Sequence, residues 1–368
     1  LFMSIPIHPL AKMSKDGKFK QIKTLMLYVI ASVTYVPIKL VITFGTLTFG
    51  TLVSKLVNWG SDAQKPLSPI RSKLFYLFNA IVGRLLCVGH GLFIIQKNKH
   101  LRDKKAHIIA GNHCSYLDAM VMSTVGGGSA IVNQGMADFW FLREILRISR
   151  ALVVQRPPTP GDSTFTAKKR EKTARQFGLN SRNSVTQMMQ QRVQERNSHI
   201  NWPQLIIFPE GTISNKQSVL RFRTSAFCLL DCKIQPFSLV YHSIIDIQWL
   251  TSSGIRAMLR SFLNPLGYIE IIWHPVQERQ REEQPQEFAD RVGRVIAAGC
   301  KAKYVLYKND DVAAFMGWKK FESAGEAYLA DFGALGTIGQ IRKMLGDKKY
   351  ELIQSDIPKL IQMQNQTA

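Results

Sequence analysis

An α/β fold is expected of this sequence: a mixed sheet flanked by helices, preceded by an N-terminal membrane-embedded helical segment. Three observations carry the expectation. Short apolar runs rich in Ile, Val and Leu alternate with stretches of helical spacing from about residue 91 to about residue 275, the pattern of strands and helices taken in turn. Ahead of them, Leu25 to Val57 is the most hydrophobic part of the chain and exceeds the ~20 apolar residues that span a bilayer. Finally, two apolar strands end abruptly in turn residues, at Gly111 and at Pro209, which places chemistry at strand ends.

The composition narrows the partners. A total of 48 Lys and Arg against 26 Asp and Glu gives a formal charge of +22, which favours nucleic acid or anionic lipid headgroups. No zinc-finger spacing, RNP-like aromatic motif or heptad basic region is present, so nucleic acid is not the expected partner. The five cysteines, Cys87, Cys114, Cys228, Cys232 and Cys300, are scattered and odd in number. They make no disulfide framework and point to a reducing environment. Cys228 and Cys232 lack a second ligand pair and are read as packing residues, so no metal site is expected.

Residues 1–24 form a basic segment with Lys12, Lys15, Lys18, Lys20 and Lys23 close to the apolar run. That cluster puts this flank on the cytoplasmic side. The absence of an initial Met speaks against Leu1 being the natural start. Residues 25–60 are the membrane anchor, interrupted by Pro37 and Lys39. A single tilted span would leave Lys39 facing protein or snorkelling. A charge at mid-bilayer costs roughly 3 kcal/mol on insertion scales, and a kink at Pro37 that returns Lys39 to polar surroundings avoids it. A hairpin of two short helices bent at Pro37 is therefore preferred over the single span.

Residues 61–310 make the main domain. Ser61 to Ser72, with Pro66 and Pro69, reads as a linker, and Lys73 to Leu86 as a helix. Gly91 to Gln96 is a strand, followed by the charged turn Lys97 to Lys105 and the buried strand His107 to Ala110. Leu117 to Val125 continues as a helix, and Gly126-Gly127-Gly128 is a turn, because it lacks the Lys-Ser/Thr ending of a phosphate loop. Ile131 to Asn133 is a strand and Trp140 to Ile148 a helix with Arg143 and Arg147 one turn apart. Arg156 ends a β-branched strand just before Pro157-Pro158, where a guanidinium can hold phosphate bidentately. Thr159 to Asn183 is polar and basic, and Ser184 to Arg196 is a helix packed on the sheet through Val185, Met188, Met189 and Val193. Gly267 to Pro275 is the last strand, with His274 structural at its end, and Glu287 to Ala298 is an amphipathic helix. Residues 311–368 are a C-terminal helical extension.

The chemistry centres on Gly111-Asn112-His113-Cys114-Ser115-Tyr116-Leu117-Asp118. His113 sits where a strand hands over to a helix, and Asp118 lies about one turn further on. An imidazole oriented by a carboxylate has a fixed tautomer and a more basic free nitrogen, as a general base needs. The second stretch is Leu205-Ile206-Ile207-Phe208-Pro209-Glu210-Gly211-Thr212. Its Gly lets a ligand approach the backbone, and Lys216, Arg221 and Arg223 follow it, which suits an anionic, phosphate-bearing ligand. Alone, each half is also compatible with an ordinary strand-turn.

Together, His113-x4-Asp118 and Phe208-Pro209-Glu210-Gly211-Thr212 resemble the glycerolipid acyltransferase superfamily. Leu142 to Arg147 through Val153-Val154-Gln155-Arg156 is similar to its second block, and Ile234-Gln235-Pro236-Phe237-Ser238-Leu239-Val240-Tyr241 to its fourth. The likeness covers roughly residues 20 to 310. It is greatest to the lysophosphatidylcholine acyltransferase branch, through Trp202-Pro203-Gln204, Asn215, Gln235-Pro236 and Pro37-Ile38-Lys39-Leu40. The resemblance implies transfer of a fatty acyl group from acyl-CoA, as co-substrate and without a cofactor, to the free hydroxyl of a lysophospholipid. It implies His113 as base oriented by Asp118, and Arg156, Phe208, Glu210, Gly211 and Thr212 at the glycerophosphate part of the acceptor. Membrane lipids are implied partners and the endoplasmic reticulum membrane the implied location.

The interior of the first motif and Ile213-Ser214 depart from that branch, where an aromatic pair and a Cys-Thr pair are commoner. Lysophosphatidylcholine, lysophosphatidylethanolamine, lysophosphatidate and glycerol 3-phosphate all stay open as acceptors. Outside the acyltransferases, a hydrolase using His113 and a non-catalytic basic membrane-binding protein remain as alternatives.

Overall fold

The computed structural model describes residues 26, 29–154, 177, 184–214, 216–245, 247 and 254–309. Residues 29–33 are helical, a turn occupies residues 34 and 35, and helix α1 then runs Val36–Asn58. Helix α2 is Pro69–Gly89. One correction follows. The linker ends at Ser68, because Pro69 opens α2 from the first turn, where a missing N–H costs nothing. Pro37 likewise lies in the first turn of α1, directly after the turn at residues 34 and 35 that interrupts the helical run, and α1 connects to α2 through residues 59–68.

The two helices are inverted relative to a soluble pair. Ile38, Val41, Phe44, Phe49, Leu52 and Leu56 of α1 point outward with Ile70, Leu77 and Leu85 of α2. The buried face of α1 is Lys39, Thr43, Thr46, Gly50, Thr51, Ser54 and Asn58. Gly89 sits against Thr43 and Gly50 against Val82, the close approach through small residues that replaces hydrophobic packing in lipid. Among the described residues, these are two helices long and apolar enough to cross a membrane.

The main sheet has seven strands: β1 Leu92–Lys97, β2 Ile108–Gly111, β3 Ser129–Asn133, β4 Leu152–Val154, β5 Leu205–Ile207, β7 Ile234–Ser243 and β8 Gly267–Trp273. A two-stranded sheet pairs β6 Ser218–Val219 with β9 Lys303–Tyr304. The large sheet runs β1-β8-β7-β2-β5-β3-β4. Its pairs are parallel except β7 with β8, which makes the sheet mixed, as expected. Helices α3 Asp118–Ser123, α4 Gln134–Ala137, α5 Trp140–Ile148, α6 Val185–Asn197, α7 Gly254–Leu263 and α8 Pro285–Cys300 complete it. Helix α3 is shorter than the spacing of Leu117 to Val125 suggested, and α7 was not foreseen.

Strand alternation explains the two cores. Ile108, Ala110, Leu205 and Ile207 face Val193, Phe288, Val292 and Ile296 on one side. Ile109 and Ile206 face the other way, with Leu117, Val121, Phe237, Ile269 and Trp273. Central strands covered on both faces read as continuous apolar runs, and their ends are where side chains escape the core.

Lys39 ties α1 to this body. Its Nζ donates to Asn264 O at 2.5 Å and to Phe262 O and Pro265 O at 3.4 Å. A cation on the last carbonyls of α7 meets the negative end of that helix. Lys39 thus reaches polar surroundings. Thr51 Oγ1 to Phe141 O (3.0 Å) and Asn58 Nδ2 to Glu144 O (3.1 Å) fix the other end of α1 to α5.

Candidate active site

The site begins where β2 runs out. Gly111 lies against the Phe237 ring, so no side chain fits there. Asn112 then pins the chain to β7: its Nδ2 donates to Leu239 O at 3.0 Å and its Oδ1 accepts from Leu239 N at 2.7 Å. Its amide thus continues the ladder by one residue after the strand has ended, and His113 projects from a fixed point.

His113 Nδ1 lies 2.6 Å from Asp118 Oδ2. The same oxygen accepts the backbone N–H of Cys114 at 2.8 Å and of Ser115 at 3.0 Å. Oδ1 accepts the Tyr241 hydroxyl at 2.5 Å. Asp118 is fully buried, and its charge is met by four donors, the condition for burying a carboxylate. A carboxylate on Nδ1 assigns the proton to that nitrogen and the lone pair to Nε2. The imidazole is about a quarter exposed, and among the described residues Nε2 has no hydrogen-bond partner. Phe208 stacks on the ring, centroids 4.5 Å apart and planes at 20°, and so holds its orientation.

The second stretch grips the first. Glu210 Oε1 accepts the His113 N–H at 2.7 Å, and Ser214 N donates to His113 O at 2.8 Å. Both ends of the His113 peptide are therefore held by residues 210–214. Glu210 Oε2 accepts the Leu220 N–H at 2.9 Å. Its side chain is fully buried, and burial raises its pKa to about 7 against the lowering pull of the Leu220 and His113 N–H groups. This corrects the expectation that Glu210 contacts the acceptor. With both oxygens engaged by backbone donors inside the protein, it presents no face to a ligand and acts as a brace between two loops.

Gly211 adopts φ +69°, in the left-handed region that favours glycine. It is exposed, and Thr212 beside it is partly exposed, so these two face the mouth of the site. Arg156 and Asn215 lie outside the described residues, as do the basic segments 1–24 and most of 159–183 and the extension 311–368. Arg221 is occupied by Asp290, with contacts of 3.3 and 3.0 Å. Cys114 and Ser115 are buried. Burial pushes the Cys114 thiol well above its usual range, with the Asp118 charge adding to it, and the Ser115 hydroxyl accepts the Leu117 N–H at 3.3 Å. His274 is bonded through Nε2 to Ser238 Oγ at 2.7 Å, a structural place as expected.

Sequence reasoning missed Asn112 and Tyr241 as parts of the site. The signal for Tyr241 was a phenol on a strand that reads as buried, because a buried Tyr O–H requires a partner.

Comparison with known proteins agrees with the motifs. Residues 93–240, which contain both stretches, match a protein-family model described as Acyltransferase. A lysophospholipid acyltransferase of Arabidopsis thaliana is 26% identical over 192 residues, 51% of this chain and 43% of that protein. Lysophosphatidylcholine acyltransferase 1 of Rattus norvegicus is 23% identical over 290 residues, 77% of this chain and 50% of that protein. The human protein of that name is 22% identical over 313 residues, 83% of this chain and 54% of that protein. This chain thus spans about half the length of the curated relatives it matches. A solved structure, the 1-acyl-sn-glycerophosphate acyltransferase of Thermotoga maritima, aligns over 77% of this chain and 96% of that one, at 12% identity and a TM-score of 0.45.

Proposed function

We propose that this chain, whose residues 93–240 match the acyltransferase family, is a membrane-bound enzyme. It transfers a fatty acyl group from acyl-CoA to the free hydroxyl of a lysophospholipid, lysophosphatidylcholine first among acceptors, at the endoplasmic reticulum membrane. The observation that carries the reading is His113 bonded through Nδ1 to the buried Asp118 with Nε2 left unpartnered.

The steps follow from that geometry. Nε2 takes the proton of the acceptor hydroxyl as its oxygen attacks the thioester carbonyl. Asp118 stabilises the imidazolium that forms. The tetrahedral intermediate collapses, the C–S bond breaks, and the departing CoA sulfur recovers the proton from Nε2. The products are the diacyl phospholipid and free CoA. Direct transfer is favoured over an acyl-enzyme, because Cys114 and Ser115 are buried behind the Asp118 carboxylate they hold. The outward apolar faces of α1 and α2 keep the protein where acyl chains reside, and the basic surface suits CoA phosphates and anionic headgroups.

The test is acyl transfer in membranes containing the protein. Labelled acyl-CoA is supplied with lysophosphatidylcholine, lysophosphatidylethanolamine, lysophosphatidate or glycerol 3-phosphate, for wild type, His113→Ala and Asp118→Ala. Transfer to lysophosphatidylcholine, lost in both variants, is the expected result, and another preferred acceptor would correct the headgroup alone. No transfer to any acceptor by folded, membrane-bound protein would overturn the reading and leave a basic membrane-binding protein.

A further inference from the structure

We infer that the end of the sheet where β1 and β8 begin is itself immersed in the lipid leaflet beside α1, through Phe93, Ile95, Tyr268, Leu266 and Ile244, and so holds His113 at the bilayer surface. The inference rests on the proposed acyl transfer at a membrane and names a second surface by which the catalytic body meets it.

The sheet brings these apolar side chains together. β1 and β8 are parallel, with Phe93 beside Tyr268 and Ile95 beside Glu270. Leu92 and Ile94 turn the other way, into the core with Ile269 and Ile271. Phe93, Ile95 and Tyr268 therefore stand on the outer face of the sheet edge, each of them exposed. Leu266, just before β8, is 57% exposed, Ile244, just after β7, 70%, and Phe93 54%. Large apolar side chains exposed this far and side by side mark a surface made for an apolar partner.

Lys39 fixes what that partner is. Its Nζ takes the carbonyls of Asn264 and Pro265, and Leu266 follows them directly. Asn264 Oδ1 accepts the N–H groups of Ile244 and Ile245, both at 3.1 Å. A Cβ built on Gly91, which leads into β1, would lie 2.6 Å from Lys39 Nζ and 2.7 Å from Pro265 O. Leu266, Ile244 and the start of β1 thus lie at the level of Lys39. Along the chain, Val29, Ile30 and Val33 are exposed on one side of Lys39, and Val41 and Phe44 on the other. Lys39 therefore lies within the lipid-facing run, and the patch continues that face. Its far border is polar. Lys97 follows Ile95 on the same row, half exposed, with Nζ 2.7 Å from Glu270 Oε1. The Tyr268 ring stacks on His242, centroids 4.3 Å apart. A tyrosine and a lysine at the edge of an apolar patch match the headgroup level.

The patch also lies at the catalytic end of the sheet. β2 runs parallel to β7, with Gly111 beside Phe237, and delivers His113 just beyond. β7 continues in that direction to Ser243, which pairs with Gly267 at the start of β8. Tyr241, close to that end, meets Asp118. The immersed patch and the imidazole leave the sheet at one end, so an acceptor need not leave the bilayer to present its hydroxyl.

The test uses the full chain in phosphatidylcholine liposomes, with p-benzoylphenylalanine placed in turn at Phe93, Leu266, Val41 and Lys104. Val41 lies on the outward face of α1, and Lys104 is exposed ahead of β2, at the opposite end of the sheet. Mass spectrometry after irradiation reads lipid adducts. Adducts at Phe93, Leu266 and Val41 with none at Lys104 are expected. Adducts at Val41 alone would overturn the inference and leave membrane binding to the helices. Crosslinks from Phe93 and Leu266 to a protein chain would overturn it in favour of a protein partner. No lipid adduct at any position would remove the membrane reading as well. A second measurement is acyl transfer by the double variant Phe93→Glu, Leu266→Glu. KM for a long-chain acceptor in liposomes should rise at least about ten-fold, while KM for a short-chain, water-soluble acceptor should stay within about two-fold of wild type. An unchanged KM for the liposomal acceptor would overturn the placement of the site at the bilayer. Lipid adducts at Phe93 and Leu266 in a protein that transfers no acyl group would sink the acyltransferase reading and keep the immersed surface.

Discussion

The Tyr241 hydroxyl donates to Asp118 Oδ1 at 2.5 Å, on the oxygen that the imidazole does not use. The bond joins the middle of the sheet to the turn that carries the candidate base. Burial holds the Tyr241 hydroxyl well above its usual pKa, and the Asp118 charge adds to the shift, so it stays a donor. Tyr241→Phe removes one of four donors while keeping the ring. A hydrogen bond to a charged group contributes about 1.5–3 kcal/mol, and only part of that concerns orientation. The expected result is a kcat lowered roughly ten-fold with both KM values within about three-fold, measured by steady-state acyl transfer.

Asp118→Asn should be far more damaging at similar shape. With its NH2 toward Nδ1 the amide would face the Cys114 and Ser115 N–H groups with a donor and leave Nε2 carrying the proton, and its other orientation would keep the tautomer but lose the charge that stabilises the imidazolium. Activity should fall at least about a thousand-fold. A variant that kept a tenth of wild-type activity would rule out orientation of His113 by Asp118.

Glu210 supplies a pH dependence of stability. Its folded pKa is raised to about 7 from an ordinary 4.5. Between those values the folded protein holds a proton that the unfolded chain has released, so stability falls as pH rises through that window. Glu210→Gln has no such group. Thermal midpoints measured at pH 5 and pH 8 should drop more for wild type than for the variant. Equal drops would show that this carboxyl does not titrate in that range.

Gly211→Ala tests the turn. A side chain at φ +69° is strained, and the added carbon would displace Arg223. The strain costs about 1–2 kcal/mol, a fall of a few degrees in thermal midpoint.

Lys39→Met tests the tie between α1 and α7. It strips the ammonium from the carbonyls of Asn264, Phe262 and Pro265. Buried acceptors left without a donor cost about 1–3 kcal/mol. The variant should stay in the membrane, melt several degrees lower and be cut faster by protease around residues 262–266. Unchanged melting and cleavage would mean that the contact is not holding the two helices together.

How much of this was legible depends on distance along the chain. His113 and Asp118 are five residues apart, so a strand end followed by a turn brings them together without help from the rest of the molecule. The buried strands at 108–111, 205–207 and 267–273 show as apolar runs for the same local reason. The role of Glu210 did not show. A Glu beside a Gly in a turn looks exposed, and its contact with His113 spans 97 residues. An interruption beside Pro37 was legible from the helix breaker, since the helical run 29–33 gives way to a turn at residues 34 and 35 before α1 begins at Val36.

The sequence by itself determined the candidate site: which residues are placed as candidate base and orienting acid, which strands end beside them, and that an apolar segment precedes the domain. Each of these rests on neighbours within a turn or a strand, where backbone geometry fixes the spacing. Only the tertiary structure decided that Glu210 faces inward, that Tyr241 reaches Asp118 across 123 residues, and that Lys39 finds carbonyls 225 residues away. Those contacts depend on how the strands order in the sheet and how the helices lie on it. Such placement is set by burying two cores at once and satisfying each buried charge, a condition on the whole chain that no single stretch contains.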